Sequence, residues 1–158
     1  MADDLHNPGS LYDRDIVAWS EQQAVALRAR KGGDNALDYD NLAEEIEDVG
    51  KSEQRACRSF VERIIEHLLK LQFVDSSDDR AHWRGEILAF RNSLEDALTP
   101  TIRSRLPAEL PDLTARQIKV LARKEILTES AAVEARLGDG YDWAQITDPD
   151  WYPPTDAG

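Results

Sequence analysis

A few ionisable side chains interrupt the apolar faces of the predicted helices, and one of them is a histidine that could act as a base or a metal ligand. At about 100° per residue around an ideal helix, Glu53 and His67 fall inside the apolar sector of the stretch from Leu37 to Phe73. Glu45 lies at the edge of that sector. Because burial of an unpaired charge costs several kcal/mol, such groups must pair, become neutral or line a cleft.

Two kinds of active chemistry fit these residue types. An acid–base site would use His67 with Glu45 or Glu53, and with Arg91, which flanks the apolar stripe of the following helix. A metal site would use His67 and Glu53 together with Glu125, because Glu125 falls in the apolar stripe of a late predicted helix. The sequence therefore offers His67, Glu45, Glu53 and Arg91 as catalytic candidates, and His67, Glu53 and Glu125 as metal candidates.

A purely structural interpretation of the same residues stays open. Di-metal helical bundles use a Glu-x-x-His spacing, whereas here Glu66 directly precedes His67. Pairing of Arg91 or Arg84 with Glu45 or Glu53 would give a hydrogen-bonded network that fixes helix register without any chemistry. The sequence predicts no cofactor.

Helical periodicity predicts the elements that must position these residues, and the longest is Leu37 to Phe73. Its apolar sector gathers Leu42, Ile46, Val49, Ala56, Cys57, Phe60, Ile64, Leu68 and Leu71. The other predicted helices are Leu11 to Lys31, Ala81 to Leu98, a short one from Thr101 to Leu106, and Leu113 to Ser130 with a continuation to Leu137. Since no strand-like alternation appears, the sequence predicts an all-α bundle of about four main helices plus short ones, with an extended C-terminal tail.

Glycine and the chain ends mark the predicted boundaries. Gly50 is the weak point of the long helix, as a kink or a break, because glycine costs about 1 kcal/mol relative to alanine in a helix interior. Although Gly50 opens a Gly-Lys-Ser sequence, position 45 is a glutamate where a phosphate-binding loop requires glycine, so we reject that motif. We expect a flexible tail over 1–10, a single domain over 11–153 and a flexible tail over 154–158.

Composition limits which cellular compartments and which kinds of partner fit this chain. The 158-residue chain has a formal net charge of −12, which repels phosphate backbones and disfavours binding to nucleic acid. A lone cysteine, Cys57, the lack of a secretory signal and the lack of an apolar run of about 20 residues predict a cytoplasmic protein that does not interact with membranes. One basic group could meet an anionic partner or could be a solvated face: Arg103, Arg105, Arg116, Lys119, Arg123 and Lys124.

Several segments of the sequence resemble a bacterial family, DUF29. They read LYDRDIVAWSEQQAVALR, LDYDNLAEEIEDVGKSEQRACRS, HLLKLQF and HWRGEILAFR, followed by Lys124-Glu125 and ITDPDWYP, and they span about residues 11–153. The resemblance implies a compact α-helical protein and carries no known reaction, substrate or cofactor. The family pattern has its carboxylates, histidine and Trp-Arg pair at the positions of Glu44, Glu45, His67, Trp83 and Arg84.

The leading functional hypothesis is a non-enzymatic cytoplasmic interaction or regulatory protein, whose partner is another protein or a second copy in a homo-oligomer such as a dimer. The alternative is a metal-assisted or acid–base enzyme built on the His/Glu cluster. The aromatic residues near the C-terminus fit either an anchor for a partner or, as we prefer, a tail that folds back over its own helices.

Overall fold

The computed structural model describes residues 10–30 and 37–156, and all regular structure in those residues is helical. The elements are α1 (Leu11–Arg14), α2 (Ile16–Ala29), α3 (Tyr39–Phe73), α4 (Arg80–Ala97), α5 (Pro100–Arg105), a 3-10 helix (Leu106–Glu109), α6 (Leu110–Arg123), α7 (Ser130–Leu137) and α8 (Trp143–Thr147). The predicted all-α class is confirmed, and its four main helices correspond to α2, α3, α4 and α6. Among these helices, none combines the length and the apolar character needed to cross a bilayer.

The described residues form two compact units, and the boundary between them falls within α3. The first unit contains the described residues up to Cys57 together with Leu98–Ser104. The second contains Arg58–Ala97 and the described residues from Arg105 onward. The single domain expected over 11–153 stays a prediction. The expected tail over 1–10 and the predicted helix end at Lys31 fall largely outside the described residues.

In the first unit, Asp15 divides the predicted first helix into α1 and α2. Its carboxylate accepts a hydrogen bond from the Ala18 backbone N–H (3.0 Å) and so caps α2. The second carboxylate oxygen accepts hydrogen bonds from both the N–H and the hydroxyl of Thr101 (2.7 Å each). These bonds link α5 to the junction between α1 and α2. Burial favours a higher pKa for Asp15, but these hydrogen bonds outweigh it and lower the pKa.

The predicted break at Gly50 is wrong, because α3 continues through it, and the alternative of a kink stays a prediction. Gly50 is buried against α2 instead, and a Cβ placed there would lie 2.3 Å from Ser20 Oγ and 3.3 Å from Val17 Cα. The absence of a side chain at Gly50 therefore lets the two helices approach closely. Ala43 and Cys57 lie one heptad before and after it, and both are completely buried.

In the second unit, α6 ends sooner than the sequence predicts. Glu125 adopts a left-handed conformation (φ 59°), its N–H bonds to the Ala122 carbonyl and the Ile126 N–H bonds to the Leu121 carbonyl. This pair of bonds is the Schellman motif that ends helices, here with glutamate where glycine is usual. The continuous helix predicted through Ser130 is therefore wrong, since α6 and α7 are separate helices.

Candidate functional site

His67, the histidine at the centre of both predicted sites, lies on α3 in the second unit with 8% of its surface exposed. Its Nδ1 is 2.7 Å from the Arg63 carbonyl oxygen. Because a carbonyl can only accept, Nδ1 carries the proton and the neutral ring keeps its acceptor at Nε2. Burial is the main cause that lowers the pKa of His67. The ring centre is 6.1 Å from that of Phe90, and the charges of Lys70, Glu66 and Glu86 also act on the ring.

Glu66, which the sequence argument did not select, is the buried carboxylate beside this histidine. Lys70 Nζ donates to one of its oxygens (2.8 Å) and Arg63 Nη1 to the other (2.9 Å). Burial favours a higher pKa for Glu66, but the pairing with Lys70 and Arg63 outweighs it and lowers the pKa. The spacing of Arg63, Glu66 and Lys70 at i, i+3 and i+7 could have revealed this cluster, because oppositely charged side chains three and four apart meet on a helix.

The predicted glutamate candidates do not occupy buried positions. Glu45 and Glu125 are exposed, and Glu53 is half-buried in the first unit. Glu125 lies in the turn after α6 rather than in a helical stripe, so the prediction that it faces a core is wrong. Within residues 10–30 and 37–156, no cluster of three or more His, Cys, Asp or Glu side chains is placed to hold a metal ion. The assignment of catalytic and metal roles to these residues stays a prediction.

Arg91 of α4 is 4% exposed, and its hydrogen bonds go to backbone carbonyls. Its guanidinium donates to the carbonyl oxygens of Gln145 (2.7 Å), Ile146 (2.9 Å) and Trp151 (3.0 Å). Two of these carbonyls belong to α8, where the helix leaves its last carbonyls unpaired and its dipole favours a cation. Burial is the main cause that lowers the pKa of Arg91. The guanidinium therefore holds the C-terminal segment against α4.

Aromatic contacts hold the same segment in place. The guanidinium carbon of Arg84 lies 4.6 Å from the centre of the Tyr152 ring, a cation–π distance. The Trp151 ring packs edge-on against Tyr141 at 6.0 Å, and the Tyr141 hydroxyl donates to Gln72 Oε1 (2.9 Å). The preferred prediction of a tail that folds back is confirmed within the second unit.

A polar cavity lies between α3 and α6, and we call it the α3–α6 groove. Its volume is about 250 Å³. The lining residues are Ser59, Glu62, Arg63, Glu66, Gln117, Val120 and Lys124. They recur every three or four residues on each helix, so one face of α3 and one face of α6 form the two walls. His67 is not among the lining residues.

Part of the apolar sector predicted to be buried on α3 is exposed in the first unit. Leu42 and Val49 are 39% and 43% exposed, one heptad apart on the same face, with half-buried Ile46 between them. The predicted burial of this sector is therefore wrong at these two positions and at Ala56, which is also exposed. We call Leu42, Ile46 and Val49 the α3 stripe.

The described residues form an all-α fold that carries a buried ionic cluster around Glu66, a polar groove and an exposed apolar stripe. The family model described as domain of unknown function DUF29 matches residues 11–152, and the chain belongs to that family. A crystal structure of an α-helical protein of unknown function from Rhodospirillum rubrum ATCC 11170 is similar, with 28% identity and a TM-score of 0.66. The similarity covers 88% of this chain and 90% of that one. No curated protein matches the chain.

Proposed function

We propose that this protein is a non-enzymatic interaction module whose α3 stripe binds a basic amphipathic helix of a partner protein. The observation that carries the proposal is the exposure of Leu42 and Val49 on one helix face. Exposed apolar side chains that follow each other at helical spacing favour a helical partner with its own apolar stripe. We place this interaction in the cytoplasm, in keeping with the single, fully buried Cys57.

The distribution of exposed apolar groups supports the first unit as the binding region. Among the large apolar side chains that are exposed in the described ranges, five belong to this unit and only Leu88 belongs to the second. The five are Tyr12, Val25, Leu37, Leu42 and Val49.

Charge supports a basic partner over a second copy of this chain. Glu53 falls within the angular range of the α3 stripe and Glu45 beside it, and neither has an ion-pair partner among the residues described. Two copies joined through this face would bring like charges together, which is unfavourable. Lysine or arginine residues beside the apolar positions of a partner helix would complement the glutamates instead. The chain's net charge of −12 would also speed the association of a basic segment and oppose binding to nucleic acid.

A designed peptide tests the proposal with a defined partner. The peptide is an amphipathic helix of about 20 residues with leucines at helical spacing and lysines beside them. A matched peptide replaces each lysine with glutamate. We expect fluorescence anisotropy to show saturable, salt-sensitive binding of the lysine peptide and much weaker binding of the glutamate peptide.

Variants separate specific binding from general attraction to an acidic protein. Leu42→Asp and Val49→Asp should each weaken binding of the lysine peptide about ten-fold or more, although each variant makes the protein more acidic. Leu88→Asp adds the same charge at an equally exposed position of α4 and should leave binding unchanged. Equal affinities in all three variants would contradict the proposal. A dimer that forms through Leu42 and Val49 at micromolar concentration would replace it with self-association.

A further inference from the structure

Gln117 is a largely buried residue whose side-chain amide has no hydrogen-bond partner among the residues described, and it lies in the wall of the α3–α6 groove. It is 8% exposed, and no described donor or acceptor meets its side chain. In the described residues only Thr114 Oγ1 is a fully buried side-chain polar atom without a partner, so the amide atoms of Gln117 reach the solvent in the groove. A side-chain amide on a largely buried residue normally forms hydrogen bonds with protein, water or a bound molecule. Because Gln117 lines the groove, its two N–H donors and its carbonyl oxygen are available to a ligand there.

The charges around Gln117 favour an anionic ligand, although the whole chain is acidic. The negative charge of Glu66 in the groove wall is already compensated, since Arg63 and Lys70 each form an ion pair with one of its carboxylate oxygens. Glu62 is paired with Arg116 at 3.0 Å. This leaves the remaining N–H groups of Arg63 and the exposed ammonium of Lys124, which has no ion-pair partner in the described chain.

The position of Lys124 at the groove depends on the turn that ends α6. Lys124 is the C-cap residue of that helix, and the next residue, Glu125, has the left-handed conformation at φ 59°. This conformation is unfavourable for a residue other than glycine. Strained backbone of this kind is concentrated at functional sites.

We propose that the α3–α6 groove binds a small organic anion that also carries a hydroxyl group. Arg63 and Lys124 meet its carboxylate or phosphate group, and Gln117 hydrogen-bonds the hydroxyl beside it. A volume of about 250 Å³ is slightly smaller than that of typical ligand pockets, so it suits a compact hydroxy acid or phosphate ester and is too small for a nucleotide. This site is in the second unit and is independent of the proposed role of the α3 stripe.

Calorimetric titration with L-malate, citrate and inorganic phosphate tests this site, with sodium chloride at equal ionic strength as the reference. We expect saturable one-site binding of at least one hydroxy acid, tighter than that of phosphate, and a ligand-dependent rise in melting temperature by mass action. Lys124→Gln should weaken this binding about ten-fold, the usual effect of losing one charge-assisted hydrogen bond. Lys119→Gln is the matched control, because Lys119 is exposed on α6 and does not line the groove.

A second variant separates ligand binding from a structural role of the amide. Gln117→Met should weaken binding several-fold without lowering the melting temperature of the ligand-free protein, because the amide has no partner to lose. The proposal is overturned if none of the three anions binds more tightly than chloride, or if Lys119→Gln weakens binding as much as Lys124→Gln. It is also overturned if Gln117→Met destabilises the ligand-free protein.

Discussion

Replacement of Gly50 by alanine should destabilise the protein, although alanine favours helix formation. The added Cβ would lie 2.3 Å from Ser20 Oγ and 3.3 Å from the Val17 backbone, and Ser20 Oγ is held there by a 2.9 Å hydrogen bond to the Val17 carbonyl. Overpacking of this kind costs about 1–3 kcal/mol, against a gain of about 1 kcal/mol in helix propensity. We therefore expect a net loss of about 1 kcal/mol and a melting temperature lower by about 2–4 °C.

Gly85→Ala is the matched control, because Gly85 lies inside α4 and a Cβ there meets nothing within 4 Å. This variant should gain about 1 kcal/mol, so the two substitutions should shift stability in opposite directions. Urea denaturation followed by circular dichroism measures both changes.

A double-mutant cycle isolates the contact with Ser20. In a Ser20→Ala background the 2.3 Å contact disappears, and the remaining neighbours of the added Cβ lie at 3.3 and 3.5 Å. Gly50→Ala should then be nearly neutral, which corresponds to a coupling energy of about 1 kcal/mol or more. The packing argument is refuted if Gly50→Ala stabilises the protein as Gly85→Ala does, or if Ser20→Ala leaves its effect unchanged.

Three further substitutions probe the second unit. Gly140→Ala should cost about 3 kcal/mol in thermal unfolding, because φ is 90° and the new Cβ would lie 2.6 Å from Thr114 Oγ1. Gly138→Ala, with φ 57° and open space around it, should cost only about 1 kcal/mol, and equal losses would contradict the packing at Thr114. Arg91→Met leaves three carbonyls unpaired and should cost about 3 kcal/mol, with faster proteolysis near the C-terminus; an unchanged digestion pattern would count against this role. Because the pKa of His67 is lowered in the folded protein, the unfolded chain takes up a proton below about pH 6.5 before the folded protein does, so stability falls as pH drops below 6.5. His67→Gln should therefore flatten the fall in melting temperature between about pH 7 and 5.5. If the melting temperatures of the variant and the original protein fall in parallel with pH, another group takes up the proton.

The helices were predictable because their signal is local. The long helix expected over Leu37 to Phe73 is Tyr39–Phe73, and the one expected over Ala81 to Leu98 is Arg80–Ala97. Periodicity alone could not show which part of a broad apolar sector is covered. In the first half of α3, close approach of α2 selects the side of Ala43 and Gly50 and leaves Leu42 and Val49 exposed.

The candidate site was predictable only in part, because side-chain partners depend on tertiary contacts. Burial of His67 follows from its position in the apolar sector of α3. The role of Arg91 does not, because its partners are backbone carbonyls, which any residue type supplies. Gln117 gave no signal at all, since an amide without a partner is recognised only when its neighbours in space are known.

The contacts of Arg91 also bear on the order in which the chain can fold. Its three acceptors lie 54, 55 and 60 residues later in the sequence, so these are long-range contacts of the kind that slow folding. Until those residues are synthesised, the guanidinium has no acceptors there to compensate for the loss of its hydration, and α4 gains little by burying it. Burial of the Arg91 face of α4 is therefore coupled to synthesis of the C-terminal segment. A chain truncated before Gln145 would leave that face of α4 exposed to water.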